Sequence, residues 1–252
     1  MKVAIFISGQ PRLIDKSLLI HLDKLNIKYD IYIYYWEDFK TYSPNTCGNI
    51  DLNKNKLLKS KDLRNILIKY YNPKKIKSEK EPNIKFSNRY DGVDPNVDTK
   101  IPELCSLGIK KAFQLCENVN EYDWLIKSRF DLVFPIESNN KPRCDMPYIY
   151  SVDERKKYLN NNLKIDFSNC NPDKINFPDL YNPFQPISEL WVLKPKNKII
   201  FNYHDYLEHC GNNPANESIL GKFCKYKNIN LNSMGIRIGI NRMYNNQEYL
   251  HN

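Results

Sequence analysis

A chain of 252 residues with 41% apolar and 13% aromatic side chains can bury a proper core, which excludes a disordered or low-complexity protein. Its 38 Lys and Arg against 29 Asp and Glu give a formal charge of +9; the excess is diffuse, and its densest part, Lys54 to Lys80, has the apolar spacing of a solvated helix face. No run approaches the ~20 apolar residues of a membrane span or forms a signal peptide, and the seven cysteines include no C-x-x-C pair, so a reducing cytoplasmic setting is expected.

Met1 to Ser8 reads as an apolar strand covered on both faces, as in a parallel sheet. Gly9-Gln10-Pro11-Arg12 is a polar turn, Leu13 to Leu25 an amphipathic helix, and Tyr29 to Trp36 a second strand, so the first 36 residues form a β-α-β unit. The turn after the first strand then opens at the carboxyl edge of the sheet, where open α/β sheets bind ligands. Glu37 to Asn49 is loop, Leu57 to Tyr71 helix, Lys75 to Lys80 a short strand, and Pro82 to Asp98 a second polar loop. Pro102 to Asn118 carries Leu104, Leu107, Ile109, Ala112, Phe113 and Leu115 at helical spacing.

The stretch Tyr122 to Phe134 reads as a buried strand that carries charge. Trp124 to Ile126 leads into Lys127, Ser128, Arg129 and Asp131, and Leu132 to Phe134 follow before Pro135 stops the run. Unpaired burial of an arginine or an aspartate costs several kcal/mol, so this pair is either a satisfied ion pair or a ligand site. From Ile136 to Pro186 periodicity weakens, with a short strand at Tyr148 to Tyr150, and the segment reads as an elaborated loop region covering a site. Ile187 to Lys194 is a strand interrupted by Glu189; Asn197 to Cys210 is a helix; Pro214-Ala215-Asn216-Glu217 starts another that runs to about Tyr226; Ile229 to Leu231 and Gly235 to Ile240 close the sheet. No Gly/Ser-rich linker divides the chain, so one domain over 1–252 is expected. Among His21, His204, His209 and His251 no zinc-ligand spacing occurs.

Ile5 to Arg12, Tyr29 to Trp36 and Tyr122 to Leu132, in that order, resemble the small glycosyltransferase-like proteins of surface-polysaccharide clusters and large DNA viruses, which are similar to the GT-A class of nucleotide-sugar transferases. The resemblance covers most of the chain except Ile136 to Pro186. It implies a single GT-A-like α/β domain with a mostly parallel central sheet flanked by helices: a nucleotide-binding half at 1–135, the loop region at 136–186, and an acceptor and catalytic half at 187–252. It further implies transfer from a nucleotide-diphosphate sugar to a glycan or polysaccharide hydroxyl, in the host-cell cytoplasm if the source is viral.

In that class the first turn holds the nucleotide, which here falls on Ser8, Gly9, Gln10 and Arg12, with Trp36 at a strand's carboxyl end as a candidate stacking ring. The metal- and diphosphate-binding Asp-x-Asp falls on Arg129-Phe130-Asp131, where Arg129 replaces the first aspartate. Two outcomes stay open: Asp131 holds Mg²⁺ or Mn²⁺, or Arg129 supplies the positive charge itself. An inverting transfer needs one carboxylate to take the acceptor's proton, and the resemblance offers Glu217, at a helix start, and Glu189. Arg237 and Arg242 are candidate diphosphate clamps. A rival reading is a non-catalytic relative that binds a nucleotide or glycan. A third, a basic nucleic-acid-binding protein, lacks any helix-turn-helix, RNP-like or zinc-finger signature, so no nucleic-acid partner is expected.

Overall fold

A computed structural model describes residues 1–11, 14–37, 62–82, 100–138, 148–149, 153, 167–178, 180–182, 185–186, 189–209 and 216–241. In chain order these form β1 (Lys2–Gly9), α1 (Ser17–Lys24), β2 (Lys28–Trp36), α2 (Leu63–Tyr71), β3 (Lys75–Glu79), α3 (Lys100–Gln114), β4 (Trp124–Ser128) and β5 (Leu132–Ser138). There follow β6 (Tyr148–Ile149), β7 (Ile175–Phe177), β8 (Leu180–Asn182), β9 (Gln185–Pro186), β10 (Trp191–Leu193), a 3₁₀ helix over Pro195–His209, α4 (Asn216–Tyr226), β11 (Leu231–Ser233) and β12 (Ile236–Asn241).

The architecture is α/β. Seven strands form a mixed, mostly parallel sheet in the order β11-β7-β10-β4-β1-β2-β3, with β10 antiparallel to both its neighbours. The period of two along β1 sorts the core. Val3, Ile5 and Ile7 face one side with Leu18, Leu19 and Leu22 of α1 and Leu67 and Tyr71 of α2. Ala4 and Phe6 face the other, with Leu104, Ile109 and Ala112 of α3, Ile200, Phe201 and Tyr203 of the 3₁₀ helix, and Ile219, Leu220 and Phe223 of α4. Helices therefore cover both faces, which is why β1 is apolar at every position from Val3 to Ile7 rather than alternating.

The expected strand from Trp124 through Phe134 is instead two strands in two sheets. β4 ends at Ser128, Arg129-Phe130-Asp131 turns the chain, and β5 begins a second sheet, β5-β12-β6. Pro135 does not stop β5, because β5 is an edge strand and pairing with β12 is irregular at that point: Arg237 faces Glu137 and Gly239 faces Val133, so the ladder is interrupted around the proline.

Other boundaries move for local reasons. The first helix begins at Ser17 rather than Leu13, since the Asp15 carboxylate accepts from the Ser17 N–H (2.9 Å) while the Asp15 N–H donates to the Phe130 carbonyl (2.7 Å). α3 ends at Gln114, short of Asn118, and the segment after Asn197 is a 3₁₀ helix, in which a threefold period aligns Ile200, Tyr203 and Tyr206 towards the core. The region read as loop, Ile136 to Pro186, contributes β7, a buried strand inside the main sheet. Its polar member Asn176 is fully buried, accepting from the Asn171 N–H (2.8 Å) and donating to the Val192 carbonyl (2.9 Å). Of the strand expected over Ile187 to Lys194, Ile187 and Ser188 lie outside the described residues, and the described part is strand over Trp191–Leu193. The four cysteines among the described residues, Cys105, Cys116, Cys170 and Cys224, are free thiols, and no described helix is long and apolar enough to cross a membrane.

Candidate functional site

From β1 the chain moves outward through β2 and β3 in one direction and through β4 in the other. The crevice between the carboxyl ends of β1 and β4 is thus a topological switch point, the place where open α/β sheets take ligands. Pairing of Ile7 with Ser128 sets Ser8-Gly9 beside Arg129, and antiparallel pairing of Trp191 with Lys127 brings Glu189 to the same edge.

Gly9 adopts φ +120°, a conformation L side chains rarely accept, and the place where a Cβ would stand is open space. A bare stretch of backbone therefore faces the crevice at the end of β1. Ser8 is buried under α3, where Gly108 permits close approach: a methyl group on Gly108 would lie 3.6 Å from Ser8 Cβ and 3.7 Å from Trp36 Nε1. Trp36 sits at the carboxyl end of β2 as expected, but it is only 2% exposed and packs edge-on against Tyr34 (centroids 5.1 Å). It is a core ring with no face offered to a sugar. Its indole N–H is buried without a hydrogen-bond partner among the described residues.

Arg129 organises the charged part. Its Nε donates to Asp131 Oδ1 (2.5 Å) and its Nη2 to Asp131 Oδ2 (3.0 Å), a bidentate fork, while Nη1 lies 3.6 Å from Glu189 Oε1. The two carboxylates are almost buried, with side chains 5% and 11% exposed, whereas the Arg129 side chain as a whole is 31% exposed. Burial alone would lower the proton affinity of Arg129, but the Asp131 and Glu189 charges outweigh it and hold the guanidinium above its ordinary pKa, with the exposed Cys105 thiol of α3 near enough to add to the effect.

The turn is fixed from beneath. The Phe130 ring is buried, and its carbonyl accepts from the Asp15 N–H and from the Tyr71 hydroxyl (3.3 Å) of α2. Ser17 ties α1 to β5 by donating to the Leu132 carbonyl (3.2 Å) and accepting from the Phe134 N–H (2.8 Å). Burial, with the neighbouring charges of Tyr70, Asp15 and Asp131, keeps the Tyr71 phenol well above its ordinary pKa. Tyr71 therefore serves this site as a neutral hydrogen-bond donor.

Lys127 escaped the sequence-level site assignment. It is buried on the α3 face of β4, donates to the Glu189 carbonyl (3.2 Å), and lies over the Trp191 ring (5.3 Å). Lys127, Arg129, Asp131 and Glu189 together balance to zero formal charge. The available signal was a lysine inside a continuous apolar run, a position that on a two-sided sheet has no route to bulk water. Asp15, Cys105, Gly108 and Tyr71 were missed because each belongs to an element far away in sequence.

At the neighbouring end of β3, Glu79 is ion-paired with Lys111 of α3 and with Lys77 (2.9 Å). The Lys111 hydrogen bond, followed by that of Lys77, pulls the Glu79 carboxyl down to about 2. At the amino end of the sheet lies a separate polar network in which Tyr122 donates to Asp30 (2.6 Å) and Asp30 accepts from Lys74 (2.9 Å). It ties β2 to the approach to β4 on the edge away from the crevice.

Among the remaining sequence-level candidates, Gln10 lies at the end of β1, partly exposed, and Arg12 and Arg242 fall outside the described residues. Glu217 takes the second position of α4, and Arg237 a place in β12; only their backbones are described. The crevice thus gathers Ser8, Gly9, Gln10, Arg129, Asp131 and Glu189.

A scan against protein-family models and a search of curated proteins find no match for this chain.

The divalent cation implied by the Asp-x-Asp resemblance does not fit this donor set, because both Asp131 oxygens are engaged by Arg129 and the second carboxylate faces the same guanidinium.

Proposed function

We propose that this chain is a nucleotide-sugar-dependent glycosyltransferase of GT-A-like arrangement, acting on a glycan or polysaccharide acceptor. The observation that carries the reading is the Arg129–Asp131–Glu189 cluster at the switch point beside the bare Gly9 turn. The strand order supports it too, because it opens a crevice at the carboxyl ends of β1 and β4.

In this reading Ser8, Gly9 and Gln10, with Arg12 beyond the described turn, receive the nucleotide, and the Arg129 guanidinium receives the diphosphate. Glu189 is the described candidate for general base and Glu217 the second. The base accepts the acceptor hydroxyl's proton as that oxygen bonds to the anomeric carbon. The carbon–oxygen bond to the phosphate breaks, and its electron pair departs with the nucleoside diphosphate.

The test is thermal stabilisation of the purified protein by UDP-, GDP-, dTDP- and CMP-sugars, followed by a transfer assay. A ligand at a hundredfold excess over Kd stabilises by about 2.7 kcal/mol. One nucleotide family raising the melting temperature, with turnover, supports the proposal; no response to any donor overturns it. A second reading, a binding protein without turnover, is favoured by Arg129 standing in place of the first acid, and stabilisation without product formation would establish it.

A further inference from the structure

We infer that Arg129 is the resident cation of the crevice, and that the site binds a diphosphate through this guanidinium without a divalent metal. The argument rests on where the guanidinium sits. A bridging cation would be expected between the two buried carboxylates, and that place is filled: Arg129 reaches Asp131 through Nε and Nη2 and Glu189 through Nη1. Arginine is also a cation the site cannot lose, since it keeps its proton in proteins.

The remaining donors point to an anionic ligand. A guanidinium carries five N–H bonds; the hydrogen bonds to Asp131 use one on Nε and one on Nη2, while Nη1 faces Glu189 at 3.6 Å as an ion pair. One N–H on Nη2 and those on Nη1 remain for a ligand, on a side chain 31% exposed beside carboxylates that are 5% and 11% exposed. The buried acids hold the plane of the guanidinium fixed, so its outer edge is preorganised for the two-oxygen geometry of a phosphate. Lys127 lies below, over Trp191, and its contact with the Glu189 carbonyl steadies the segment that carries the second acid.

The anion-binding part of this inference rests on the transferase reading; the metal-binding part does not. Two probes separate them. Mn²⁺ binding to the purified full chain is followed by electron paramagnetic resonance, and inorganic pyrophosphate binding is followed by calorimetry in EDTA. The expected results are no Mn²⁺ bound at Asp131 up to about 1 mM, the weak end of useful divalent affinity, and pyrophosphate binding in EDTA that falls about tenfold or more in Arg129→Met. Arg129→Lys, which keeps the charge and loses the fork, should weaken pyrophosphate as well and guards against a variant that fails to fold. Arg129→Asp, which supplies a second acid, should create Mn²⁺ binding.

Mn²⁺ bound by the wild type and lost in Asp131→Asn would overturn the inference, as would pyrophosphate binding that requires Mn²⁺ or no pyrophosphate binding at all. Metal-free pyrophosphate binding with no response to any nucleotide sugar would sink the transferase reading and leave the anion site standing. Transfer that depends on Mn²⁺ held by Asp131 would do the reverse.

Discussion

Removing the Arg129 guanidinium by Arg129→Met should destabilise the protein in a pH-dependent way. The substitution keeps an apolar side chain of similar length and leaves the Asp131 and Glu189 carboxylates, 5% and 11% exposed, without the cation that joins them. Removing one partner of a buried pair costs about 3–5 kcal/mol. Arg129 is itself 31% exposed, so water can reach the vacated side, and the lower end, about 3 kcal/mol, is the better figure. For a chain of this size that corresponds to a fall in melting temperature of about 6–12 °C. A buried carboxylate that loses its cation has a raised pKa, and the penalty is present while the group must stay ionised and fades as pH falls and it takes up a proton. The deficit should therefore be largest near pH 8 and shrink towards pH 5. Arg129→Met combined with Asp131→Asn removes one charge of each sign and should recover more than half of the loss. The assay is paired thermal and urea denaturation of wild type, both single variants and the double variant at the two pH values. A loss below about 0.5 kcal/mol, within the range of an ordinary surface substitution, would refute the claim that the cluster is buried and coupled, as would a double variant no more stable than the sum of the singles.

Four further outcomes are expected. Glu189→Gln and Glu217→Gln should divide the base from the bystander, since loss of the base lowers kcat by about a hundredfold or more, much more than it weakens donor binding; transfer slowed in neither variant would end the proposed mechanism. Glu79→Gln should cost about 0.5–1 kcal/mol at pH 7, a modest figure because the carboxylate is 32% exposed. With the folded-state Glu79 carboxyl held at about 2 against an ordinary 4.5, this stabilisation is present above about pH 4.5 and is lost as pH falls towards 2, so wild-type and variant stabilities should converge over that window in acid titration. Gly108→Ala should be neutral or slightly stabilising because its methyl meets Ser8 and Trp36 at ordinary contact distances, whereas Gly108→Leu should cost about 1–3 kcal/mol by overpacking; a melting temperature unchanged in the leucine variant would mean that α3 does not press on β1 and β2 as described. Among the described cysteines, exposed Cys105 should be alkylated first, and buried Cys224, its thiol pushed up to about 12 by burial, should resist; mass-spectrometric mapping checks the order, and Cys224 alkylated before Cys105 in the folded protein would contradict their described burial.

Much of the fold was legible in the local pattern. The run from Val3 to Ile7 announces a strand covered on both faces, and such a strand has to be central. Lys75–Glu79 and the starts of α3 and α4 fell close to where periodicity placed them. Three things misled it. A proline was read as a stop where an edge strand with an interrupted ladder accommodates it. The short run of β7 was hidden by buried Asn176, whose amide is satisfied by the nearby Asn171 together with the distant Val192 carbonyl and the Asn232 side chain. Tyr and Trp at strand ends suggested a platform at Trp36, while α3 closes over that ring through Gly108.

The residues of the candidate site were visible one at a time, and their number and chemistry were fixed by sequence: a glycine that tolerates positive φ after the first strand, an Arg-x-Asp after an apolar run, and an acid before Trp191. That these meet was decided by tertiary structure alone. Arg129 and Asp131 are close in sequence, but Ser8 and Glu189 reach them only because β4 pairs with β1 on one side and with antiparallel β10 on the other. Strand order of this kind is set by which apolar faces bury together across more than a hundred residues of chain, and no local period encodes it. The same holds for the direction of the Arg129 fork: the side chain's charge is a property of its sequence position, but that its fork grips Asp131 and its third arm faces Glu189 follows from the turn that Phe130, Asp15 and Tyr71 hold in place.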